Sequence, residues 1–408
     1  MRRPRLPAAA VSGAIRALLS VAGFVLLLAL ALDIVYTSAS RPWDFYTYWY
    51  ACTAALHGRN PYDAGVLTEL AQRPVGMPFL YPPITVPLLT PLTLLPVERA
   101  AQVWFAVKAL MLASLVLLWR RYFLPAASVL LLAAVAIFGF NGACVWDLRA
   151  GNVAILEQLL LWAGFAAFTM DRRRIFAGCM VAAALFKLFP IAFLALLLIP
   201  SKKSSPDWKL AGGALALFVG LVTVPLLAGP AWARDFLRQL PVERPWGIVN
   251  PSALGLIDTL LGDHTTPLTS PPFLALGLWV AYGAALVGLS APTLRRLWRE
   301  RESTEWVMAG AILYALLVPR MMVYSYLLVL VPVLALITPI VSRLGSGALV
   351  AAILVSQALL GRVLGWGYQA PWWVANLAFL MLLGFWLVYL FAGGRHLDSD
   401  QRLPPAEP

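Results

Sequence analysis

The sequence contains a series of long segments with almost no charged residues. Of its 408 residues, 61% are hydrophobic and only 12% are charged, whereas a soluble globular domain has about 25% charged residues. Since a helix needs about 20 mostly apolar residues to cross a bilayer, the sequence predicts an all-α polytopic membrane protein and excludes an ordinary soluble enzyme. The clearest apolar runs are Ala17–Leu32, Leu124–Phe138, Leu210–Leu227, Leu327–Ile337 and Leu377–Leu390.

The basic residues indicate how the chain is oriented in the membrane. Lys and Arg total 31 against 19 Asp and Glu, which gives a formal net charge of +12. Short loops rich in Lys and Arg usually face the cytoplasm. This rule predicts an uncleaved first span at 15–36, cytoplasmic termini, and membrane lipids rather than nucleic acid as the partner of the positive charge. The clusters are Arg2–Arg5, Arg120–Arg121, Arg172–Arg174, Lys202–Lys209 and Arg295–Arg301.

Two apolar segments contain residues that interrupt a membrane helix. Segment 80–96 has five prolines, and each proline removes a backbone hydrogen-bond donor. Segment 175–200 carries Lys187 and Pro190 near its middle. We expect both segments to be broken or re-entrant, because irregular backbone is tolerated at membrane depth only where protein buries it.

The remaining segments complete a single membrane module over residues 1–392. It has about 10–13 transmembrane or re-entrant helices, with outer loops at 37–79 and 230–271. Residues 393–408 are predicted to be a disordered cytoplasmic tail. The other crossings are predicted at 99–119, 122–141, 152–170, 210–229, 272–294, 305–319, 324–341, 347–366 and 372–392.

The first outer loop contains an aromatic segment with an acid near its start. Asp44, Tyr48, Ala51 and Ala55 share one helix face, and Gly58 is expected to end that helix. Because Trp and Tyr favour the membrane interface, the helix is predicted to lie flat on the outer surface. Asp44 has two compatible interpretations, a helix N-cap and a general base for a sugar hydroxyl beside stacking rings. Asp33 competes with it, but fits better as the polar end of the first span.

Short motifs along the chain resemble those of glycosyltransferase family 87, also known as DUF2029. The resemblance covers about residues 10–392 and implies a GT-C membrane fold with a polyprenyl-phosphate sugar as donor. It also implies a glycolipid or glycan acceptor and an active site on the extracytoplasmic face of the plasma (inner) membrane, with Asp44 matching the family's catalytic acid. The motifs are Asp44-Phe45-x-x-Tyr48, Gly58-x-x-Pro61-Tyr62, Tyr81-Pro82-Pro83, Gly151-Asn152-Val153, Ala184–Pro190 and Asn250–Gly255.

A lipid-phosphate donor needs positive charge beside its leaving group, and a Lys or Arg inside the membrane is costly, by about 2.5–3.5 kcal/mol. Lys187, Arg320 and Arg149 are therefore candidates for the donor phosphate. The alternatives are structural: Lys187 could pair with a carboxylate such as Glu157, and Arg149 with Asp147. Lys108 is expected to be structural.

The predicted contacts to the sugar or acceptor come from tyrosine and asparagine side chains. Tyr324 stands where family members commonly carry the histidine of a Ser-Pro-x-x-Trp-x-His type motif, and either asparagine could instead cap a helix. His57 and His264 lack metal-ligand spacing, so neither metal nor cofactor is predicted. The candidates are Tyr48, Tyr62, Tyr81, Asn152, Asn250 and Tyr324.

Two other functions compete with inverting sugar transfer. A lipid or sugar transporter, including a flippase, would also contain broken helices and a buried lysine. The two halves of the sequence nevertheless show no matching pair of interrupted segments. A non-catalytic scaffold subunit of an envelope-assembly complex is disfavoured by the acidic, aromatic outer loop.

Overall fold

The computed structural model describes residues 42–75, 77–202, 204–239, 250–261, 273–342 and 371–392. All regular secondary structure in these ranges is helical, which confirms the predicted all-α class. The first span at 15–36, Asp33, the crossing at 347–366 and the tail 393–408 lie outside the described residues, as does much of the loop at 230–271.

The helices follow one another with short connections. Short 3₁₀ segments cover Thr90–Leu94, Phe189–Leu198, Ala231–Arg234 and Val323–Val329. The α-helices within the described ranges are α1 (Trp43–Leu56), α2 (Ala64–Ala71), α3 (Thr85–Leu89), α4 (Val97–Tyr122), α5 (Val129–Ala150), α6 (Ala154–Thr169), α7 (Arg173–Phe186), α8 (Trp208–Ala228), α9 (Asp235–Gln239), α10 (Ala253–Leu261), α11 (Phe273–Glu300), α12 (Ser303–Leu317), α13 (Leu330–Ser342), α14 (Trp372–Ala375) and α15 (Leu377–Ala392).

Three of the described helices, α4, α8 and α11, are long and apolar enough to cross a membrane. Helix α5 adds a fourth if its two parts, which meet at an angle of 74°, form one span. Apolar side chains such as Leu217 on α8 and Val280 on α11 are more than half exposed. Contiguous apolar surface of this kind suits contact with lipid. The chain is a membrane protein, while the side on which each terminus lies stays a prediction.

Both predicted helix interruptions are confirmed. Segment 80–96 forms only α3 and the 3₁₀ turn Thr90–Leu94, ten residues that are too short to cross about 30 Å of hydrocarbon. Helix α7 ends at Phe186 because Lys187 has an extended backbone conformation (φ −141°, ψ 121°). The chain then continues as a 3₁₀ segment with Pro190 near its start.

Helix α1 is enclosed by protein, because nine of its 14 residues are buried among α2, α3, Thr90–Leu94, α4 and α5. Its N-cap is Pro42, which makes no side-chain capping bond. The N-cap interpretation of Asp44 is therefore wrong, since the helix begins one residue earlier and Asp44 lies inside its first turn. Gly58 follows the helix with φ +70°, as expected for its end. The depth of α1 in the membrane stays a prediction.

Candidate functional site

The Asp44 cluster is a buried hydrogen-bonded group formed by Asp44, Tyr48, Tyr81 and Asn152. Asn152 Nδ2 donates to Asp44 Oδ2 at 2.7 Å and to the Tyr81 hydroxyl at 3.3 Å. The hydroxyls of Tyr48 and Tyr81 are 2.6 Å apart. Asp44 is 7% exposed, and its position in the first turn of α1 favours a negative charge. The structure thus joins four predicted site residues from three separate segments.

The phenols of the Asp44 cluster stay protonated at neutral pH. Burial raises the pKa of Tyr81 well above its usual value, and the nearby Asp44 carboxylate raises it further. Burial also raises the pKa of Tyr48, with Tyr81 and Asp44 adding to the effect. One hydroxyl donates in the bond between the two phenols, so the proton of the other is available to the carboxylate or to a bound ligand.

The α5–α6 turn brings Asn152 to Asp44 because residue 151 is glycine. Gly151 has φ +70°, and a Cβ built there would lie 2.7 Å from Phe45 Cβ and 2.8 Å from Pro42 Cβ. Only a residue without a side chain allows the turn to approach the start of α1 so closely. Asn152 Oδ1 accepts a hydrogen bond from Ala154 N at 3.0 Å. This bond holds the amide with its Nδ2 facing Asp44.

A buried ion pair supports the same turn from α4. Lys108 Nζ lies 2.7 Å from Asp147 Oδ2 and donates to the Asp147 backbone oxygen at 2.6 Å. Asp147 Oδ1 accepts from Ala154 N at 3.2 Å. Lys108 is structural, as expected. Arg149 forms no ion pair with Asp147 in the described part of the chain, because residues two apart on a helix point in different directions; the predicted structural alternative for Arg149 is wrong.

Lys187 lies at the break after α7 and contacts three side chains. Its Nζ is 2.6 Å from Glu157 Oε2 and donates to Ser325 Oγ at 3.0 Å. The same atom lies 5.0 Å from the centre of the Tyr324 ring, a distance that permits a cation–π interaction. The predicted pairing of Lys187 with Glu157 is confirmed, and its contact with a donor phosphate stays a prediction.

Tyr324 lies beside Lys187. Besides facing Lys187, it lies within electrostatic range of Asp44, Tyr81 and Arg320. The chain around it is held by hydrogen bonds with the segment Asn250–Gly255. The candidate phosphate-binding cations Lys187 and Arg320 therefore both lie near Tyr324.

Tyr62 and Asn250, two of the predicted ligand-binding residues, form side-chain hydrogen bonds to backbone groups. The Tyr62 hydroxyl donates to the Tyr81 carbonyl oxygen at 2.7 Å, so Tyr62 supports the Asp44 cluster from behind. Asn250 Oδ1 accepts from Met321 N at 2.8 Å. Ser252 Oγ donates to the Pro319 carbonyl oxygen at 2.9 Å, and the Tyr326 hydroxyl donates to the Pro251 carbonyl oxygen. These bonds anchor the backbone on both sides of the arginine and tyrosine at positions 320 and 324.

The sequence interpretation missed Ser325 and named Glu157 only as an alternative partner. The sequence could have indicated Glu157, because an acid within an apolar segment is costly and therefore usually has a partner or a function. Ser325 gave no signal, since a serine beside two tyrosines has no distinctive spacing. Within the described ranges, no three His, Cys, Asp or Glu side chains are grouped to hold a metal ion.

Comparison with known proteins identifies the family. A family model described as glycosyltransferase family 87 matches residues 79–319, more than half of the chain. No curated protein matches. The matched region contains Tyr81, Asn152, Lys187 and Glu157, whereas Asp44 precedes it. The predicted family is confirmed: this chain belongs to glycosyltransferase family 87 and is a membrane glycosyltransferase.

Proposed function

We propose that this protein transfers a mannose- or arabinose-like sugar from a polyprenyl-phosphate donor to a hydroxyl of a glycolipid or glycan, with inversion at the sugar. The proposal assigns the protein a GT-C mechanism that needs no metal or cofactor. The observation that carries it is the Asp44 cluster itself, a buried carboxylate that accepts a hydrogen bond from Asn152, whose amide also contacts the hydrogen-bonded phenols of Tyr81 and Tyr48. An isolated polar group would be costly in a membrane protein.

Asp44 acts as the general base. The acceptor oxygen attacks the anomeric carbon while the bond from that carbon to the phosphate oxygen breaks. The polyprenyl phosphate leaves with the electron pair, and Asp44 takes the hydroxyl proton. A β-linked donor thus gives an α-linked product. Asn152 holds the carboxylate, and the phenols of Tyr48 and Tyr81 hydrogen-bond sugar or acceptor hydroxyls.

Positive side chains stabilise the departing phosphate, whose charge changes from about −1 to about −2 at neutral pH. Lys187 and Arg320 supply this charge, supported by their closeness to Tyr324. A guanidinium group can bind two phosphate oxygens at once, which suits Arg320 to this role. Arg149 is a third candidate, and Tyr62, Asn250 and Tyr324 complete the proposed sugar and acceptor contacts.

The site faces away from the cytoplasm in this proposal. Helix α6 begins at Ala154, beside Asn152, and the basic cluster Arg172–Arg174 follows its other end. Its 16 residues extend about 24 Å at about 1.5 Å per residue. Because clusters of arginine favour the cytoplasmic side, this separation supports an extracytoplasmic position for the Asp44 cluster.

The test is an assay of purified protein with a panel of polyprenyl-phosphate sugars, with products identified by mass and linkage. We expect Asp44→Asn to keep the fold and donor binding and to lower transfer by about 10²–10⁴-fold, the usual contribution of a general base. Asp63→Asn is the matched control, because Asp63 caps α2 in the same loop and asparagine also caps helices.

Full transfer by a folded Asp44→Asn protein would contradict the assignment of the base. If no donor supports transfer but the protein moves a labelled lipid across vesicles, with Asp44→Asn equally active, the flippase alternative replaces the proposal.

A further inference from the structure

The proposed phosphate-binding lysine is held by a carboxylate of its own chain. Glu157 is 3% exposed and lies 2.6 Å from Lys187 Nζ, while Ser325 Oγ accepts a second bond from the same atom. An ammonium has three donors. Within the described part of the chain two of them point to Glu157 and Ser325, and the Tyr324 ring lies 5.0 Å away. The lysine is 20% exposed, which leaves room for a ligand to accept the third hydrogen bond.

Glu157 and a phosphate would share one positive charge. A phosphate oxygen bound to Lys187 at about 2.8 Å would lie within about 5 Å of the Glu157 carboxylate, given the 2.6 Å distance on the other side. The two anions repel at that separation, and the repulsion grows with the charge of the phosphate. Glu157 therefore opposes the dianion that forms when the donor loses its sugar more strongly than it opposes the singly charged donor.

We propose that Glu157 is a positioning residue that holds Lys187 at the site and limits its affinity for the product, so that the polyprenyl phosphate is released. This inference rests on the proposed function. Ser325 shares the positioning, because its hydroxyl fixes the ammonium from the opposite segment of the chain. The arrangement favours turnover over tight binding of either lipid phosphate.

The substitution Glu157→Gln tests the inference directly. The glutamine amide oxygen can still accept a hydrogen bond from Lys187, but the negative charge is removed. We expect farnesyl phosphate, a short polyprenyl phosphate, to bind the purified variant in nanodiscs at least about tenfold more tightly than wild type, about 1.4 kcal/mol. In the transfer assay the donor KM falls and kcat falls with it, because product release is slower.

Two variants serve as controls. Glu305→Gln neutralises another carboxylate near an arginine, Arg296 at 4.0 Å, on a helix outside the Asp44 cluster, and should leave farnesyl phosphate affinity unchanged. Lys187→Gln should weaken binding. If the role of Glu157 were purely structural, Glu157→Gln would lower thermal stability but would leave the affinity for farnesyl phosphate and the values of KM and kcat unchanged.

The wild-type protein provides a second test that does not depend on a variant folding. At pH 8, farnesyl phosphate is a dianion and its methyl ester is a monoanion. The inference predicts that wild type binds the dianion no more than a few times more tightly than the ester. A preference above about tenfold would overturn it.

The outcomes separate this inference from the proposed function. If wild type transfers sugar and Lys187→Gln weakens phosphate binding, but Glu157→Gln binds no more tightly than wild type, only the role of Glu157 is refuted. If wild type transfers no sugar and Lys187→Gln binds farnesyl phosphate as well as wild type, the proposed function and this inference both fail.

Discussion

Replacing Gly151 with alanine tests whether the close approach of the α5–α6 turn to α1 sets up the site. The new Cβ would lie 2.7 Å from Phe45 Cβ and 2.8 Å from Pro42 Cβ, whereas carbon atoms are in favourable contact at about 3.5–4.0 Å. The turn and the start of α1 must therefore separate by about 1 Å. The same movement would lengthen the bond from Asn152 to Asp44, now 2.7 Å, to about 3.7 Å, beyond hydrogen-bond range.

Two terms add to the loss of stability. A non-glycine residue at φ +70° costs about 1–2 kcal/mol, and the steric conflict adds about 1–3 kcal/mol. A misplacement of about 1 Å at a catalytic group lowers kcat by about 10²-fold. Gly58→Ala is the matched control, because Gly58 also has φ +70° but a Cβ there would meet no atom within 4 Å.

The assay compares sugar transfer and thermal unfolding of the two alanine variants in detergent. We expect Gly151→Ala to lose about 10²-fold in kcat and to unfold at a lower temperature than Gly58→Ala, which should retain transfer. Equal transfer by the two variants would refute the reasoning that this contact orients Asn152 toward Asp44.

Further predictions concern two buried groups and one exposed pair. Lys108→Met leaves Asp147 as an uncompensated buried charge and should lower the free energy of unfolding by about 3–5 kcal/mol. The Lys108→Met, Asp147→Leu double variant should partly recover the melting temperature. An unchanged melting temperature in the single variant would contradict this. Tyr81→Phe removes one hydroxyl of the Asp44 cluster but leaves its amide contact, so transfer should fall less than in Asp44→Asn, as initial rates would show. The hydrogen bond from Arg59 lowers the pKa of Glu69, so the pair stabilises the fold above the usual pKa of a glutamate and loses this contribution as pH falls through the lowered value. Thermal unfolding of Glu69→Gln against pH should lack that dependence, although the exposed position keeps the effect small.

Local sequence signals predicted the helix interruptions and the helix in the aromatic first loop. Proline lacks a backbone donor wherever it occurs, so the break in segment 80–96 did not depend on tertiary contacts. The end of α1 just before Gly58 is equally local. Lys187 marked a break because a charged residue beside a proline is poorly suited to a continuous apolar helix.

The choice of partners within the site depends on packing between distant segments and could not be predicted in the same way. From the sequence, Asp147 could form an ion pair with either of two cations, Arg149 on its own helix or Lys108 on α4. Helix packing favours the more distant one in sequence. The N-cap interpretation of Asp44 failed because the helix begins at Trp43, and a shift of one residue in a helix boundary changes the role of an acid from cap to first-turn residue.

The buried ion pairs also constrain the order in which the chain can enter the bilayer during synthesis. Lys108 and its acceptor on Asp147 are 39 residues apart, so α4 emerges from the ribosome well before its counter-charge is available. Insertion of α4 and α5 as a hairpin would let both charges leave water together. Lys187 and Ser325 are 138 residues apart, so the contacts of the candidate site are completed only after most of the polypeptide has been translated, and a chain that ends before Val323 would lack Tyr324 and Ser325 even if its earlier helices were inserted.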